Sequence, residues 1–410
     1  MRYVRVVAWL LAGWGMTCQA AGGPSGDDDR LQVEVRGTLS LPDEAPDADG
    51  NPVRITGISG VTWLGDDRYI AVLDNSDLLL CFALDLSSAG QPRAVRGLRA
   101  VRLAAGHDFE DVAVCPEALR GRIALRQARE KARDPGACLL LAEEDTPAIR
   151  AVSQQGGALL GIVPLPENMR RRRPNRGPES LAVDPDDGSI WTANEEALAG
   201  DGPAAGVGGG TVVRVVKIPL PADPPRPTRQ FAYPVEPPHA FVRMFAGEPL
   251  SGVSAIVALG AGRLLVLERA AGPGLPPFKS RIFLVDTTHA ADVAAVDRDL
   301  ADRDDDFLSK RLLWEGSLGC NLEGLCLGPP LRDGSRALVA VADNGGLGTP
   351  NQLVGLTLRL PPRRRQTLLL GVGAGVAVAL VALVALVALV ALVALVALVA
   401  RRLSGRITSP

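Results

Sequence analysis

Carboxylate side chains recur at matching positions along this chain of 410 residues. Three glutamates, Glu110, Glu179 and Glu323, each stand at the start of a short apolar segment. Further acids follow the next apolar segment of the same unit, and those that we predict as metal ligands are Asp74, Glu143, Glu195 and Asp343. Carboxylates that meet in one place repel each other and raise each other's pKa unless a cation is present. Their recurrence therefore indicates a cation site.

The unit that carries these acids predicts the fold. It occurs five times, with variations, as a short apolar segment, a polar turn and a second apolar segment that ends in acid. The clearest copies run from Pro178 to Glu195 and from Leu322 to Asn344. A fixed all-β unit repeated along a chain is typical of a β-propeller. Matching positions converge in such a ring, so the acids should meet at one mouth of the central channel.

Apolar segments of strand length can be grouped in fours from Ile58 to about Leu360. We predict an all-β propeller of five four-stranded blades over residues 31–360, with insertions that leave room for a sixth blade. The fifth group lacks its outermost strand, and the alternating segment from Leu31 to Leu39 is the spare strand. Pairing the N-terminal strand with the last blade closes the ring and removes two exposed sheet edges.

An oxygen-rich ring of carboxylates suits Ca²⁺. We therefore predict a calcium-dependent site in which Glu110, Glu179 and Glu323 are catalytic. Four asparagines at nearby positions would add neutral oxygen ligands: Asn75, Asn194, Asn321 and Asn344. The alternative is structural, because acids at the ends of strands also accept hydrogen bonds from neighbouring main-chain N–H groups. Both interpretations stay open on the sequence alone.

A basic loop, residues 170–176, leads into Glu179. Arg173 and Arg176 of this loop are candidates for binding a substrate phosphate beside the metal, since guanidinium groups pair well with phosphate oxygens. A solvated run of charge is the alternative. The chain has no Gly-x-Ser-x-Gly motif and only three histidines, so neither a serine-esterase triad nor a zinc hydrolase is indicated.

The two ends of the chain are predicted to lie outside the propeller. Residues 1–20 combine Arg2 and Arg5 with a short apolar stretch and small residues at positions 18 and 20, which is typical of a signal peptide. Acylation at Cys18 is the alternative there. Residues 21–30 are expected to be a flexible linker.

Residues 367–400 contain no charged side chain and are long enough to span a bilayer as a transmembrane helix. A basic linker, 361–366, precedes this segment, and a tail, 401–410, follows it. We predict an exported protein with one C-terminal span, the propeller on the periplasmic or extracellular side and a cytoplasmic tail. A sorting tail that is cleaved after export is the alternative.

The cysteines are consistent with export. Cys115 and Cys138 flank an Arg-rich insertion between two strands of one blade, and Cys320 and Cys326 bracket Glu323. We predict one disulfide in each pair, with buried thiols as the alternative. The net charge of −2 gives no electrostatic reason to bind nucleic acid. We expect a monomer.

Several phrases resemble the family called esterase-like activity of phytase, or phytase-like domain. They include Asp108-Phe109-Glu110-Asp111-Val112-Ala113, Gly177-Pro178-Glu179-Ser180-Leu181-Ala182 and Asn321-Leu322-Glu323-Gly324-Leu325. The resemblance extends in order from Gly57 to Asn344. It implies an exported bacterial β-propeller, and the family name implies hydrolysis of phosphate or other esters. Asp111 and Ser180 stand where the family has Gly. Their side chains are expected to hinder close approach of the backbone at those two positions.

Two functions follow from these observations. The first is a metal-assisted phosphoester or ester hydrolase with a small phosphorylated or ester substrate, in which carboxylate-bound Ca²⁺ polarises the phosphoryl group. The second is a membrane-tethered binding or scaffold propeller of the cell envelope, without turnover. Aromatic residues make up 4% of the chain, which disfavours sugar as its ligand. A shared fold does not decide between these functions, since propellers host many of them.

Overall fold

Five four-stranded antiparallel sheets make up the propeller in the computed structural model. The model describes residues 31–103, 108–119, 138–154, 158–220, 226–343 and 350–359. Within these residues the prediction of five blades is confirmed. In each blade the first strand lines the central channel and the later strands lie progressively further out.

The strands are numbered along the chain. β1 is Gln32–Ser40, and a small outer hairpin is formed by β2 (Glu44–Pro46) and β3 (Pro52–Arg54). Blade 1 contains β4 (Ile58–Gly65), β5 (Arg68–Leu73), β6 (Leu78–Leu86) and β7 (Pro92–Arg102). Blade 2 contains β8 (Phe109–Val114), β9 (Cys138–Glu143), β10 (Ala148–Ser153) and β11 (Leu159–Pro164). Blade 3 contains β12 (Pro178–Val183), β13 (Ile190–Asn194), β14 (Thr211–Ile218) and β15 (Arg229–Val235).

Blade 4 contains β17 (Leu250–Gly260), β18 (Arg263–Ala271), β20 (Phe278–Asp286) and β21 (Lys310–Gly316). A second small hairpin pairs β16 (Val242–Arg243) with β19 (Gly274–Leu275). Blade 5 contains β22 (Asn321–Pro330), β23 (Arg336–Asp343) and β24 (Gln352–Arg359), with β1 as its outermost strand. Short 3-10 turns lie at Glu167–Arg171, Leu300–Asp302 and Asp304–Asp306.

The two ends of the propeller meet in blade 5. β1 runs antiparallel to β24 from the pair Gln32↔Arg359 to the pair Ser40↔Gln352, with one bulge between Val35 and Gly37. The predicted closure by the N-terminal strand is therefore confirmed. Because this pairing joins the first and last strands of the fold, it leaves no open gap between blades 5 and 1.

A hydrophobic cluster fills each interface between neighbouring blades. The alternation of side chains along the second strands produces this arrangement. On β5, Tyr69 and Ala71 pack in the cluster shared with blade 5, whereas Ile70 and Val72 pack in the cluster shared with blade 2. Both faces of the strand are thus apolar and buried, which fixes the angular position of each blade around the channel.

Glycines at the inner ends of two first strands allow neighbouring blades to approach closely. A Cβ atom built on Gly324 would lie 2.5 Å from the carbonyl oxygen of Ser59, and one built on Gly60 would lie 2.5 Å from Cα of Asp111. Asp111 and Ser180 do not prevent this approach in blades 2 and 3. The buried Asp111 carboxylate accepts a hydrogen bond from the Leu181 N–H group at 2.7 Å and so joins the two blades.

Replacing Gly324 with Ala should lower the free energy of unfolding by about 1–3 kcal/mol, because the added methyl group overlaps the main chain of blade 1. Gly208→Ala is the matched control, since a Cβ atom there meets nothing within 4 Å. Urea denaturation of both variants checks the prediction. Equal midpoints for the two variants would contradict the close approach.

The predicted disulfide between Cys320 and Cys326 is wrong, and both residues are buried free thiols. Cys320 directly precedes β22, and Cys326 pairs with Val339 within that strand. Six residues of extended chain separate their Cα atoms by roughly 20 Å, whereas a disulfide needs at most about 7 Å. The two residues also belong to different hydrophobic clusters.

Cys115 and Cys138 lie next to each other where β8 and β9 end, and the Cys115 N–H group donates to the Cys138 carbonyl oxygen at 2.9 Å. Their sulfur atoms lie 3.7 and 3.8 Å from the carbonyl oxygens of Pro116 and Leu139. The proximity required by the prediction is present, and the disulfide itself stays a prediction.

The predicted signal peptide, linkers, transmembrane segment and tail (1–30 and 361–410) lie outside the described residues. Among the residues that are described, no helix is long and apolar enough to cross a membrane.

Candidate functional site

A β-bulge places one side chain of each blade at the same mouth of the channel. In every first strand the register against the second strand shifts by one residue near the start, for example between Phe109 and Asp111 and between Pro178 and Ser180. The five bulged residues are Ser59, Glu110, Glu179, Ser254 and Glu323. A bulge turns a side chain out of the regular alternation. The three glutamates predicted as catalytic therefore occupy equivalent positions.

The second strand of each blade contributes a second ring residue. It is the residue directly after the one that forms the last pair before the bulge. Those pairs are Ile58↔Leu73, Phe109↔Glu143, Pro178↔Asn194, Val253↔Glu268 and Leu322↔Ala342. The residues that follow are Asp74, Glu144, Glu195, Arg269 and Asp343. Four of the five blades thus contribute an acid, and blade 4 contributes an arginine.

These positions surround a small cavity of about 50 Å³. Its lining includes Asp74, Glu110, Glu179, Glu323 and Asp343, together with Arg176 and Arg269. The channel beyond it is apolar: a second cavity, of about 260 Å³, is lined by the middle residues of all five first strands, such as Val112, Leu181 and Ile256. The polar chemistry of the channel is therefore confined to one mouth.

Two groups of carboxylates at this mouth have oxygen atoms within 4.8 Å of one another. One group is Asp74, Asp108 and Glu110, and the other is Glu110, Glu144 and Glu179. Glu110 belongs to both. We call these five residues the acidic cluster; they come from three consecutive blades, and all but Asp74 are buried.

Four members of the acidic cluster accept at least one hydrogen bond. The Ser59 hydroxyl donates to Glu110 Oε2 at 2.7 Å, and the Gly177 N–H group donates to Glu144 Oε1 at 2.7 Å. Asn75 donates from its main-chain N–H to Asp108 at 3.0 Å and from its side chain to Asp74 at 2.7 Å. None of the five carboxylates forms an ion pair with a described Lys, Arg or His side chain.

Glu179 differs from the other members, because its carboxylate accepts no hydrogen bond from any residue that the structure describes. It is only 7% exposed, lines the cavity and faces Glu110 and Glu144. Burial raises the pKa of Glu179 well above its ordinary value, and the charge of Glu110 raises it further. An ionised carboxylate in this position requires a positive charge close by.

Burial also raises the pKa of Glu110 well above its ordinary value, with Asp74 as the next cause. The pKa values of Asp108 and Glu144 are raised as well, mainly by burial. Without a cation, burial and mutual repulsion therefore favour the protonated form of these carboxyl groups. With a divalent cation, the same oxygen atoms form a ligand set of the kind that Ca²⁺ prefers.

The remaining ring acids are neutralised by arginine. Glu195 accepts hydrogen bonds from Arg269 at 2.6 Å and from Arg176 at 2.8 Å. Glu323 lies 3.0 Å from Arg269 Nε and also contacts the side chain of Asn321. Burial raises the pKa of Glu323 to about 8, although Arg269 opposes this shift. Two arginines therefore face two glutamates, and burial is the main reason that the pKa of Glu323 is raised.

Two of the predicted site residues are misplaced. Glu143 points away from the channel, because consecutive residues of a strand face opposite sides, and its carboxylate pairs with Arg150. Glu144 takes the expected place of Glu143. Arg173 donates hydrogen bonds to the carbonyl oxygens of Ala197 at 3.0 Å and Gly202 at 2.8 Å. Its guanidinium therefore stabilises the loop and does not line the cavity.

The other predicted residues meet at the cavity: Asp74, Glu110, Arg176, Glu179, Glu323 and Asp343 line it. Glu195 lies beside it through its pairs with Arg176 and Arg269. Their roles as ligands and catalysts stay predictions.

Sequence analysis did not select Asp108, Glu144 or Arg269 as site residues. The positions of the bulges identify two of them. In each blade, the ring residue of the second strand comes directly after the residue that pairs just before the bulge, and this rule selects Glu144 and Arg269.

The fold and the site define a five-bladed β-propeller with a cluster of carboxylates at one mouth of its channel. The chain belongs to the Phytase-like family, described as esterase-like activity of phytase, whose model matches residues 53–346. The resemblance inferred from the repeated motifs is thus confirmed. A search of curated proteins gave no match.

A comparison with solved structures gave matches of low identity and low TM-score. The endo-arabinase from Bacteroides thetaiotaomicron is 13% identical, with 77% of this chain and 93% of that chain covered and a TM-score of 0.37. A chain of the Chaetomium thermophilum Polycomb Repressive Complex 2 is 9% identical, with 80% of this chain and 98% of that chain covered and a TM-score of 0.33.

Proposed function

We propose that this protein is a metal-dependent hydrolase of phosphoesters that uses the acidic cluster to bind Ca²⁺. One observation carries the proposal: five carboxylates converge without an ion pair to a described Lys or Arg, and Glu179 is buried there with no hydrogen bond from any residue that the structure describes. Membership of the Phytase-like family supports an ester substrate. The all-oxygen ligand set fits a hard cation rather than zinc, which prefers nitrogen and sulfur ligands.

A bound divalent cation supplies Lewis-acid polarisation of a phosphoryl oxygen. Glu110, Glu144 and Glu179 would hold it on one side of the cavity. On the other side, Arg176 and Arg269 line the cavity, and both donate hydrogen bonds to Glu195. Guanidinium groups in this position would bind the remaining phosphoryl oxygens and orient the group for attack by water.

Glu323 is suited to proton transfer in this arrangement. Its pKa of about 8 keeps the carboxyl group largely protonated at neutral pH, and it lines the same cavity as Glu179. A protonated carboxyl group beside the scissile P–O bond can donate a proton to the leaving oxygen as that bond breaks. We therefore propose Glu323 as the general acid and the acidic cluster as the cation site.

The cavity also limits the substrate. A volume of about 50 Å³ has room for a phosphoryl group but not for a whole organic ester. Only the phosphoryl group would enter, and the alcohol portion would remain at the open mouth. We therefore expect little discrimination between alcohol groups and strong discrimination between phosphate and carboxylic esters.

Hydrolysis assays test this proposal. Protein treated with EDTA is incubated with p-nitrophenyl phosphate, bis-p-nitrophenyl phosphate, phytate and p-nitrophenyl acetate, each with and without Ca²⁺. We expect Ca²⁺-dependent release of product from at least one phosphoester, and no activity after chelation. If no substrate is hydrolysed although the purified protein binds Ca²⁺, the proposal of catalysis is wrong.

That last outcome would support the second candidate function, a non-catalytic binding propeller. The observation in its favour is the set of side chains at the cavity: the described lining contains no Cys or His that could act as a covalent nucleophile. In this case the cation would stabilise the ring. Catalysis is favoured because Glu323 and the two arginines face the same cavity as the acidic cluster.

We also propose, from the sequence, that the protein is exported and held in the membrane by residues 367–400. Support comes from the uncharged run of apolar residues, which exceeds the length needed to span a bilayer. Fractionation of cells that express the full chain, followed by protease treatment of intact cells or spheroplasts, tests both location and orientation. Recovery of the intact chain in the cytoplasmic fraction would contradict this proposal.

A further inference from the structure

The acidic cluster is built as two adjacent ligand groups rather than one. Asp74 and Asp108 meet Glu110 from one side, and Glu144 and Glu179 meet Glu110 from the other. Each group offers three carboxylates with oxygen atoms within 4.8 Å of one another. The two oxygen atoms of a carboxylate can bind two cations at once, and Glu110 is the residue shared by both groups.

The charges also fit two divalent cations. The five carboxylates would carry five negative charges when ionised, and no described Lys, Arg or His pairs with any of them. One divalent cation would leave three of these charges uncompensated in a buried site, whereas two would leave one. The other side of the ring needs no cation, because Arg176 and Arg269 already balance Glu195 and Glu323.

The space available agrees with this count. A buried water needs roughly 10–15 Å³ of cavity volume. The cavity of about 50 Å³ therefore has room for more than one ion-sized occupant, and Asp74 from the first group and Glu179 from the second both line it. Glu179 is buried without a hydrogen bond from any described residue, and this is the independent observation that points to a cation in the group of Glu110, Glu144 and Glu179.

We propose that the acidic cluster is a binuclear site, in which two hard divalent cations of the Ca²⁺ class are bridged by Glu110. This inference rests on the proposed function. It places one cation at Glu110, Glu144 and Glu179 and the additional cation at Asp74, Asp108 and Glu110. Asp74 and Asp108 are thereby metal ligands rather than capping residues. In two-metal sites, a shared ligand holds both cations on one phosphoryl group, so the arrangement also suits the proposed substrate class.

Metal stoichiometry tests the inference without an activity assay. Protein freed of metal with EDTA is dialysed against Ca²⁺ or Mn²⁺, and the bound metal is measured by mass spectrometry. We expect two ions per chain. The Mn²⁺ form should show the electron paramagnetic resonance signal of an exchange-coupled pair, because a bridging carboxylate couples the two ions.

Variants separate the two ligand groups. Asp74→Asn and Glu144→Gln should each reduce the stoichiometry from two to one and abolish the coupled signal, whereas Glu110→Gln should weaken both sites. Glu315→Gln, on the outer strand β21, is the control that keeps two ions. Circular dichroism confirms that each variant is folded.

One ion per chain in the unaltered protein, or two ions that persist in Asp74→Asn, would overturn the binuclear site and leave the proposed function standing. An absence of any bound ion would overturn both. The two failures are therefore distinguishable.

Discussion

The metal-free protein should be less stable at pH 8 than at pH 5.5, by about 3 kcal/mol from Glu323 alone. The pKa of Glu323 is raised from 4.5 to about 8 in the folded protein. Between these values the folded state binds more protons than the unfolded state, so stability falls as pH rises through this range. Burial raises the pKa values of Glu110 and Glu179 in the same direction, and both add to the effect.

Calcium should oppose this dependence. A divalent cation stabilises the ionised carboxylates and competes with their protons, so its effect on stability grows with pH. At a free Ca²⁺ concentration 100 times the dissociation constant, the added stability is about 2.7 kcal/mol. Thermal unfolding in EDTA and in Ca²⁺, at both pH values, measures the two effects in one experiment.

Two variants identify the groups responsible. Glu323→Gln should reduce the dependence on pH, because the amide does not titrate. Glu315→Gln should leave it unchanged, since hydrogen bonds from Lys279 and Arg281 lower the pKa of Glu315 and place its titration below this range. An unfolding temperature of the metal-free protein that is the same at pH 5.5 and pH 8 would contradict the raised pKa values.

The repeated sequence unit was sufficient to predict the ring and six of its acids, three of them at the bulges. Glu110, Glu179 and Glu323 each precede an apolar run of the same length, and the structure places all three on equivalent bulges. The closing strand was predictable for a similar reason, because the fifth group lacked one strand and the N-terminal segment alternates with a period of two. Both inferences depend on local pattern only.

The positions of the β-bulges could not be predicted from the sequence. Two consecutive acids, Glu143 and Glu144, end one strand, and a shift of one residue decides which of them faces the channel. In blade 4 the bulge makes Ser254 the ring residue of the first strand, and Arg269, which follows Glu268, is the ring residue of the second strand. Glu268 is buried and accepts hydrogen bonds from Tyr233 and Lys310 at 2.7 Å.

Arg269 changes the distribution of charge around the ring. A ring of acids alone would repel all round and would suggest a single central cation. Blade 4 instead contributes the guanidinium of Arg269. Burial lowers the pKa of Arg269, but the charges of Glu195 and Glu323 raise it by more, so the pKa is raised overall. The site is thereby divided into a side that attracts cations and a side that is already neutral. This division could not be inferred from acids counted in sequence.

Glu179→Gln should abolish Ca²⁺-dependent hydrolysis, with a loss of at least about 100-fold in kcat/KM, and should at the same time stabilise the metal-free protein at pH 8. The first effect follows if Glu179 holds the cation. The second follows because burial without a hydrogen bond from any described residue opposes ionisation of Glu179 in the folded protein, whereas the unfolded chain ionises freely at pH 8; the neutral amide removes that cost. Steady-state kinetics and thermal unfolding of the same preparation measure both.

The opposite signs of the two effects distinguish this role from a structural one. Asp111 is the matched comparison: it is also buried, but its carboxylate accepts hydrogen bonds from the N–H groups of Val112 at 2.8 Å and Leu181 at 2.7 Å. Asp111→Asn should therefore lose stability, since one of these acceptors becomes a donor. If Glu179→Gln is destabilised to the same degree as Asp111→Asn, Glu179 is part of the scaffold. A gain in stability with a loss of hydrolysis, by contrast, is expected only of a residue whose charge is retained for the cation.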